Sequence, residues 1–197
     1  MSRVPVTVRE ARVEDASFLL GIWQDALRMA EDHEQLADLE GIIRRAQASS
    51  EEQLVVAECD GQPVGAVFVH ATTFGPLNLE PTVQIFAPHV SPAFRRRGVG
   101  RILMDAAVTF AEERGIRTIA AAASSSGREG NRFLARLGLG SQAVMRAAPT
   151  AVVRARLASL GRALPHHARA PRGPKQASAV GELLAARRSQ RRSHTVA

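Results

Sequence analysis

The residues with the clearest chemical potential lie together in the segment Arg95-Arg96-Arg97-Gly98-Val99-Gly100-Arg101. Glycines at the start of a helix expose backbone N–H groups that have no partner inside the helix, and the helix dipole adds partial positive charge at the same end. The neighbouring arginines add fixed positive charge. These features together predict that the backbone N–H groups of about 96–101 bind a pyrophosphate.

Two other phosphate-binding motifs do not fit this segment. A P-loop would continue with Lys and then Ser or Thr, but Gly100 is followed by Arg101-Ile102. A dinucleotide-binding fingerprint would place a third glycine at position 103, which is Leu103. It would also follow the first strand of a βαβ unit, whereas this loop follows the fourth predicted strand. The alternative that stays open is a solvated basic turn in an arginine-rich chain.

A strand before this segment and a helix after it must position it. The strand is predicted over 82–90 and contains Pro88, which cannot donate to a ladder, so we expect the strand end to bulge or splay. The helix is predicted from an apolar stripe that begins at Val99, and it is expected to end at Gly115.

The rest of the pattern predicts an α/β sheet of mixed direction. Asp60-Gly61 between two apolar runs predicts a tight hairpin, because both central turn residues need positive φ. Residues 139–146 and 151–157 are expected to form a closing hairpin, with a terminal helix as the alternative for the second segment. Strands are predicted over 4–8, 53–59, 62–70, 82–90 and 117–123, and helices over 16–27, 36–48, 99–114 and 130–137.

In motif and in element order, residues 4–157 resemble the GCN5-related N-acetyltransferase (GNAT) family. The loop matches its Q/R-x-x-G-x-G/A pattern, and the other matches lie on either side of the loop. These other matches are His89-Val90-Ser91-Pro92, Asn131 and Arg136-Leu137-Gly138-Leu139, and the loop itself is Arg95-x-x-Gly98-x-Gly100. The resemblance implies a mixed, mostly antiparallel central sheet with helices on both faces and a splayed strand pair at the cofactor site.

The resemblance also implies acetyl-CoA as cosubstrate. The strand end would pair with the pantetheine amides, the loop would hold the pyrophosphate, and Asn131 would hold the pantetheine arm. The implied cofactor-binding residues are His89, Val90, Arg95, Arg96, Arg97, Gly98, Val99, Gly100, Arg101 and Asn131.

The catalytic residues depart from the family's pattern. The family commonly uses a Tyr as proton donor where this chain has Leu134, and the chain contains no Tyr. A thiolate with a pKa near 8.5 can leave without full protonation. Ser125, or one of its serine neighbours, is the candidate donor. Glu80 is the candidate general base, with His70 and His89 as alternatives, and each has a structural explanation as well.

Charge divides the chain into two parts. Residues 1–160 hold 18 basic and 18 acidic side chains, so the formal net charge of +7 lies in residues 161–197. We therefore predict a GNAT-like domain over 1–160 and a basic, disordered tail over 161–197. This division excludes a uniformly basic nucleic-acid binder and leaves nucleic acid as a partner of the tail alone.

The remaining composition sets further limits on partners. The single Cys59 excludes an intrachain disulfide, and the adjacent His166-His167 have no further ligands beside them, so no metal site is predicted. No segment has the length of a membrane span, which makes the cytoplasm the expected location. The expected assembly is a monomer or homodimer.

The predicted function is an N-acetyltransferase that moves an acetyl group from acetyl-CoA to an amine of a small molecule or protein. The alternative is a CoA-binding sensor that transfers little or nothing and recruits nucleic acid through its tail. The missing Tyr favours the alternative.

Overall fold

A computed structural model describes residues 5–124 and 127–163 of the 197-residue chain. Contacts divide the chain into two units, one up to Val144 and one from Met145. The first contains β1 (Val6–Glu10), α1 (Ala16–Trp23), α2 (Asp32–Gln47), β2 (Glu52–Cys59), β3 (Gln62–Thr73), β4 (Pro81–Val90), α3 (Val99–Glu112), β5 (Thr118–Ala122) and α4 (Arg128–Arg136), and the second contains α5 (Thr150–Ala163).

In the described residues, one five-stranded sheet has the strand order β1-β2-β3-β4-β5. The first four strands are antiparallel and β5 is parallel to β4, with α3 as the crossover between them. Asp60 (φ 53°) and Gly61 (φ 72°) form the predicted turn between β2 and β3. The predicted mixed, mostly antiparallel sheet is therefore confirmed.

Helices cover both faces of the sheet because side chains alternate along each strand. The face under α1 and α2 buries Leu54, Val56 and Ala66 among the helical side chains Leu19, Leu39 and Ile43. The opposite face packs against α3 and α4, and its buried side chains include Val67, Val69, Val83, Ile85, Leu103 and Leu134. The core is thus two apolar layers, and the sheet between them carries the site.

The structure corrects two predictions. Residues 139–146 contain no strand, and residues 150–163 form α5, so the closing hairpin is wrong and the terminal helix is right for the second segment. The α5 sequence is rich in Ala, Leu and Arg, which favour helix over strand. The first helix was expected to reach residue 27, but it ends at Trp23. The predicted tail lies, from residue 164 onward, outside the described residues.

Candidate cofactor site

The sheet opens at the end of β4. β5 pairs with β4 only as far as Phe86 and Ala122, and β4 continues to Val90 beyond that point. Ala87 has φ 45°, and Ala87 and Pro88 together lie opposite a single residue of β3. Two residues opposite one define a β-bulge. The predicted bulge and splay at Pro88 are therefore present, and we call residues 87–90 the open edge.

The backbone of Val90 faces away from β3 at this open edge. His89 pairs with β3, and the Ser91 N–H donates to the Val64 carbonyl at 2.9 Å. Alternate residues of an antiparallel ladder direct their N–H and C=O to the same neighbour, so those of Val90 point to the other side. The Val90 N–H and C=O thus lie on the side of the open edge that faces away from β3.

The loop after the open edge turns sharply into α3. Arg96 has φ 61° and Gly98 has φ 91°, and Val99 begins the helix. The left-handed conformation at Gly98 favours glycine, which accounts for that residue in the motif. Within the described residues no side chain caps the first turn of α3. The N–H groups of Val99 and Gly100 are therefore available to an anion, whereas the Arg101 N–H donates to the Gly98 carbonyl at 3.0 Å.

The loop arginines have different surroundings. The Arg95 Nε donates to the Val90 carbonyl at 3.3 Å, and its Nη1 lies 3.8 Å from the Glu129 carboxylate on α4. The Arg97 guanidinium lies over the Phe94 ring, 5.2 Å from its centroid. Arg96 and Arg101 are exposed. Arg95 thus links the loop to both the open edge and α4.

α4 brings Asn131 to the neighbouring loop. Its Nδ2 donates to the carbonyls of Ser124 (2.9 Å) and Gly127 (3.0 Å). A primary amide nitrogen carries two N–H donors, so any contact of Asn131 with a cofactor would use its Oδ1. The Phe133 ring lies 3.6 Å from the place where Gly100 would carry a Cβ, so α4 also packs beside the start of α3.

His89 is the titratable side chain on the open edge. Partial burial of the imidazole lowers its pKa, and the positive charge of Arg95 lowers it further, while Asp25 acts in the opposite direction. The folded protein therefore favours the neutral imidazole at neutral pH, in which one ring nitrogen accepts a proton or hydrogen bond.

The structure does not bring Glu80 to the loop. Its Oε1 accepts a hydrogen bond from the Thr118 hydroxyl at 2.6 Å, at the start of β5. β4 has 10 residues, and at about 3.3 Å per residue Glu80 lies roughly 30 Å from Val90 along the strand. Glu80 links the starts of two parallel strands, whereas the open edge is at their other end.

Three other positions bear on the catalytic prediction, namely Ser125, Leu134 and His70. Ser125 lies outside the described residues. Leu134, at the position of the family's Tyr, is 6% exposed and packs in the core. His70 lies opposite Gln84 in the sheet, and the Gln84 amide donates to the Thr73 carbonyl at 2.9 Å. His89 is thus the one candidate base that the described residues place at the open edge.

Sequence reasoning missed two residues that shape this edge. The Trp23 Nε1 donates to the Ala87 carbonyl at 2.8 Å. A Cβ on Gly65 would lie 2.8 Å from the His89 carbonyl oxygen, so glycine is required there for the close approach of β4. Neither residue belongs to a motif, and their partners are distant in sequence, so no sequence signal identified them.

The described residues contain neither a group of metal-ligating side chains nor a helix that could span a membrane. In residues 5–124 and 127–163, no group of His, Cys, Asp and Glu side chains is arranged to hold a metal ion. Over the same ranges, no helix has the length and apolar character needed to span a membrane.

Comparison with known proteins agrees with this architecture. The model of the acetyltransferase (GNAT) family matches residues 17–148. No curated protein matches the chain in sequence. A transcriptional regulator from Bacillus halodurans C-125 superimposes with a TM-score of 0.63 at 21% identity, over 74% of this chain and 99% of that one.

Two enzymes share the fold at similar identity. The aminoglycoside N-acetyltransferase AAC(6')-Iy in complex with CoA has a TM-score of 0.62 at 20% identity, over 76% of this chain and 97% of that one. A ribosomal-protein-alanine N-acetyltransferase from Brucella melitensis biovar Abortus 2308 has a TM-score of 0.57 at 16% identity, over 74% and 99%.

Proposed function

The chain belongs to the acetyltransferase (GNAT) family, and we propose that it binds acetyl-CoA at the open edge of β4 and transfers the acetyl group to an amine. One observation carries this proposal: β4 continues to Val90 beyond its pairing with β5, so the Val90 N–H has no strand partner, and a short loop then leads to the uncapped start of α3. An acyl carrier with amides at one end and phosphates at the other needs both features side by side.

The residues present fit the two parts of such a cofactor. The Val90 N–H offers a donor to the pantetheine amides, and the Val90 C=O, which accepts from the Arg95 Nε at 3.3 Å, has a second lone pair for one of them. The first N–H groups of α3, beside Gly98 and Gly100, offer donors and partial positive charge to the pyrophosphate. Arg96 and Arg101 are exposed next to these groups and add charge. When bound, acetyl-CoA supplies an activated acyl group as a thioester.

The reaction has two further needs, a base for the amine and a route for the leaving thiolate, and the chain's own groups supply the first. An amine attacks only when it is neutral, and we propose that the neutral His89 imidazole accepts its proton, directly or through water. This assignment replaces Glu80, which lies at the other end of β4. The leaving thiolate needs no strong acid because a thiol pKa is near 8.5.

A sensor without transfer activity is the second candidate. The observation that favours it is the buried, apolar Leu134, which has no proton to donate at the family's Tyr position. Binding and transfer therefore have to be measured separately.

Intrinsic fluorescence offers a direct test of binding. The chain has one Trp and no Tyr, so its emission comes from Trp23 alone, and the Trp23 indole is bonded to the open edge. We expect acetyl-CoA to change this emission in a saturable way. Gly98→Glu should abolish the change, because the new carboxylate would stand at the phosphate site and glutamate disfavours φ 91°.

Gly41→Glu is the matched control for this test. Gly41 is exposed on α2, and a Cβ there would meet nothing within 4 Å. The same substitution at this position should leave binding unchanged. An absent response in the wild type, or an equal response in Gly98→Glu, contradicts the proposed cofactor site.

Transfer is tested by release of free thiol from acetyl-CoA. The amine panel should contain aminoglycosides and peptides with a free N-terminal alanine, since the two related enzymes above carry these acceptors in their names. Thiol release that depends on an amine supports the transferase, and saturable binding without thiol release supports the sensor.

A further inference from the structure

One hydrogen bond connects α1 to the bulge of β4. Trp23 is the last residue of α1 and is 6% exposed. Its Nε1 donates to the Ala87 carbonyl at 2.8 Å, across a sequence separation of 64 residues. Ala87 belongs to the bulge of β4 against β3 and directly follows Phe86, the last residue of β4 that pairs with β5.

Ala87 holds a conformation that it would not adopt by itself. Its φ of 45° lies in the left-handed region, which is unfavourable for a residue with a Cβ. The following Pro88 restricts the backbone of Ala87 further. Such a conformation persists only where the surroundings impose it. The indole N–H of Trp23 is a specific contact that does so.

The bulge decides which groups are available at the open edge. It inserts one extra residue into β4 opposite β3, and β5 pairing ends at Phe86 just before it. Relaxing Ala87 to an extended conformation would change the register of the residues that follow, Val90 among them. The position of the Val90 N–H and C=O therefore depends on the Ala87 conformation.

We propose that Trp23 is a positioning residue for cofactor binding, which acts through the Ala87 bulge. This inference rests on the proposed function, namely that the open edge binds acetyl-CoA. Trp23 also packs in the buried cluster under α1 and α2, so a test has to separate its N–H from its bulk.

Trp23→Phe removes the N–H donor and keeps an aromatic ring in the core. We expect this variant to bind acetyl-CoA about tenfold more weakly by titration calorimetry, because the Ala87 conformation loses the hydrogen bond that holds it. Replacement of Trp23 by benzothienylalanine keeps the bicyclic shape and removes only the N–H. It should weaken binding equally, and it serves as the test if Trp23→Phe does not fold.

A second substitution tests whether Trp23 acts through the bulge. Glycine adopts φ 45° without strain, so Ala87→Gly added to Trp23→Phe should restore binding to within about threefold of the wild type. Leu39→Val is the control for lost packing, because Leu39 is fully buried in the same cluster. It should lower the melting temperature and leave the acetyl-CoA affinity unchanged.

Each outcome decides a separate point. If the wild type does not bind acetyl-CoA, the proposed function fails before the role of Trp23 is tested. If the wild type binds and the variants lacking the N–H bind equally well, the positioning role is overturned. It is also overturned if Ala87→Gly fails to restore binding or if Leu39→Val weakens binding to the same extent.

Discussion

Gly65 should be intolerant of even one added methyl group. It lies in β3 opposite Val90, and an added Cβ would approach the His89 carbonyl oxygen to 2.8 Å. The same Cβ would lie 3.2 Å from the side chains of Val99 and Leu103 on α3. Backbone stands on one side and a packed helix on the other, so the strand end or the start of α3 has to move.

The cost follows from this geometry. Overpacking a core by one methyl group typically destabilises a protein by about 1–3 kcal/mol. For a chain of this size, about 1 kcal/mol corresponds to roughly 2–4 °C in melting temperature. We expect Gly65→Ala to lower the melting temperature by several degrees, about 5 °C for a cost near 2 kcal/mol. Acetyl-CoA binding should weaken as well, because both displaced elements form the proposed site.

Gly100→Ala is the matched control on the neighbouring helix. A Cβ there would meet the Phe133 ring at 3.6 Å and Val90 at 3.9 Å, which are ordinary contacts. Alanine is favoured over glycine in a helix by about 0.5–1 kcal/mol, so stability should be equal or higher. Thermal and urea denaturation of both variants decide the matter. Equal stability of Gly65→Ala and the wild type, or equal losses in both variants, would refute the reasoning.

Two predictions concern charged groups. The Asp15 carboxylate is buried, which raises its pKa, but hydrogen bonds from Arg9 at 2.6 and 2.8 Å and from the Arg12 N–H lower the pKa to a net value below the ordinary one. Asp15→Asn should therefore cost about 1–3 kcal/mol at pH 7. Because the folded pKa is depressed, this contribution is complete above the unfolded pKa of about 3.9 and is lost as the pH falls through the lower folded value. Urea denaturation at several pH values should show the free energies of unfolding of the two proteins converging in acid. A difference in free energy that persists in acid would contradict the assignment. The pKa of His89 should lie below the ordinary value of about 6.5 in an NMR titration. Arg95→Gln should raise it and Asp25→Asn should lower it further, and shifts of the same sign in both variants would exclude the proposed surroundings.

The local parts of this fold were predictable because their physics is local. Asp60-Gly61 specifies a tight turn by its own φ preferences, and the apolar runs on either side of it mark strands that are covered on both faces. The loop from Arg95 to Arg101 could be predicted as a candidate anion site because a helix start, glycines and arginines occur within seven positions. Pro88 predicted the irregular strand end, because a proline has no N–H to donate to a neighbouring strand.

Other features were decided only when distant segments packed together. Glu80 precedes β4, and its hydrogen bond to Thr118 at the start of β5 required the parallel pairing of β4 with β5. The register of β3 against β4 decides that Val90 directs its backbone groups to the open edge, whereas the backbone of His89 pairs with β3.

The sequence by itself determined that a loop rich in glycine and arginine follows a strand interrupted by proline, because these residues act on their immediate neighbours. Tertiary structure decided how that strand is held open. Trp23 meets Ala87, and Gly65 meets His89, only because α1 and β3 pack on either side of the end of β4. Contacts of this kind depend on the relative placement of whole elements, which residue spacing within one segment does not encode.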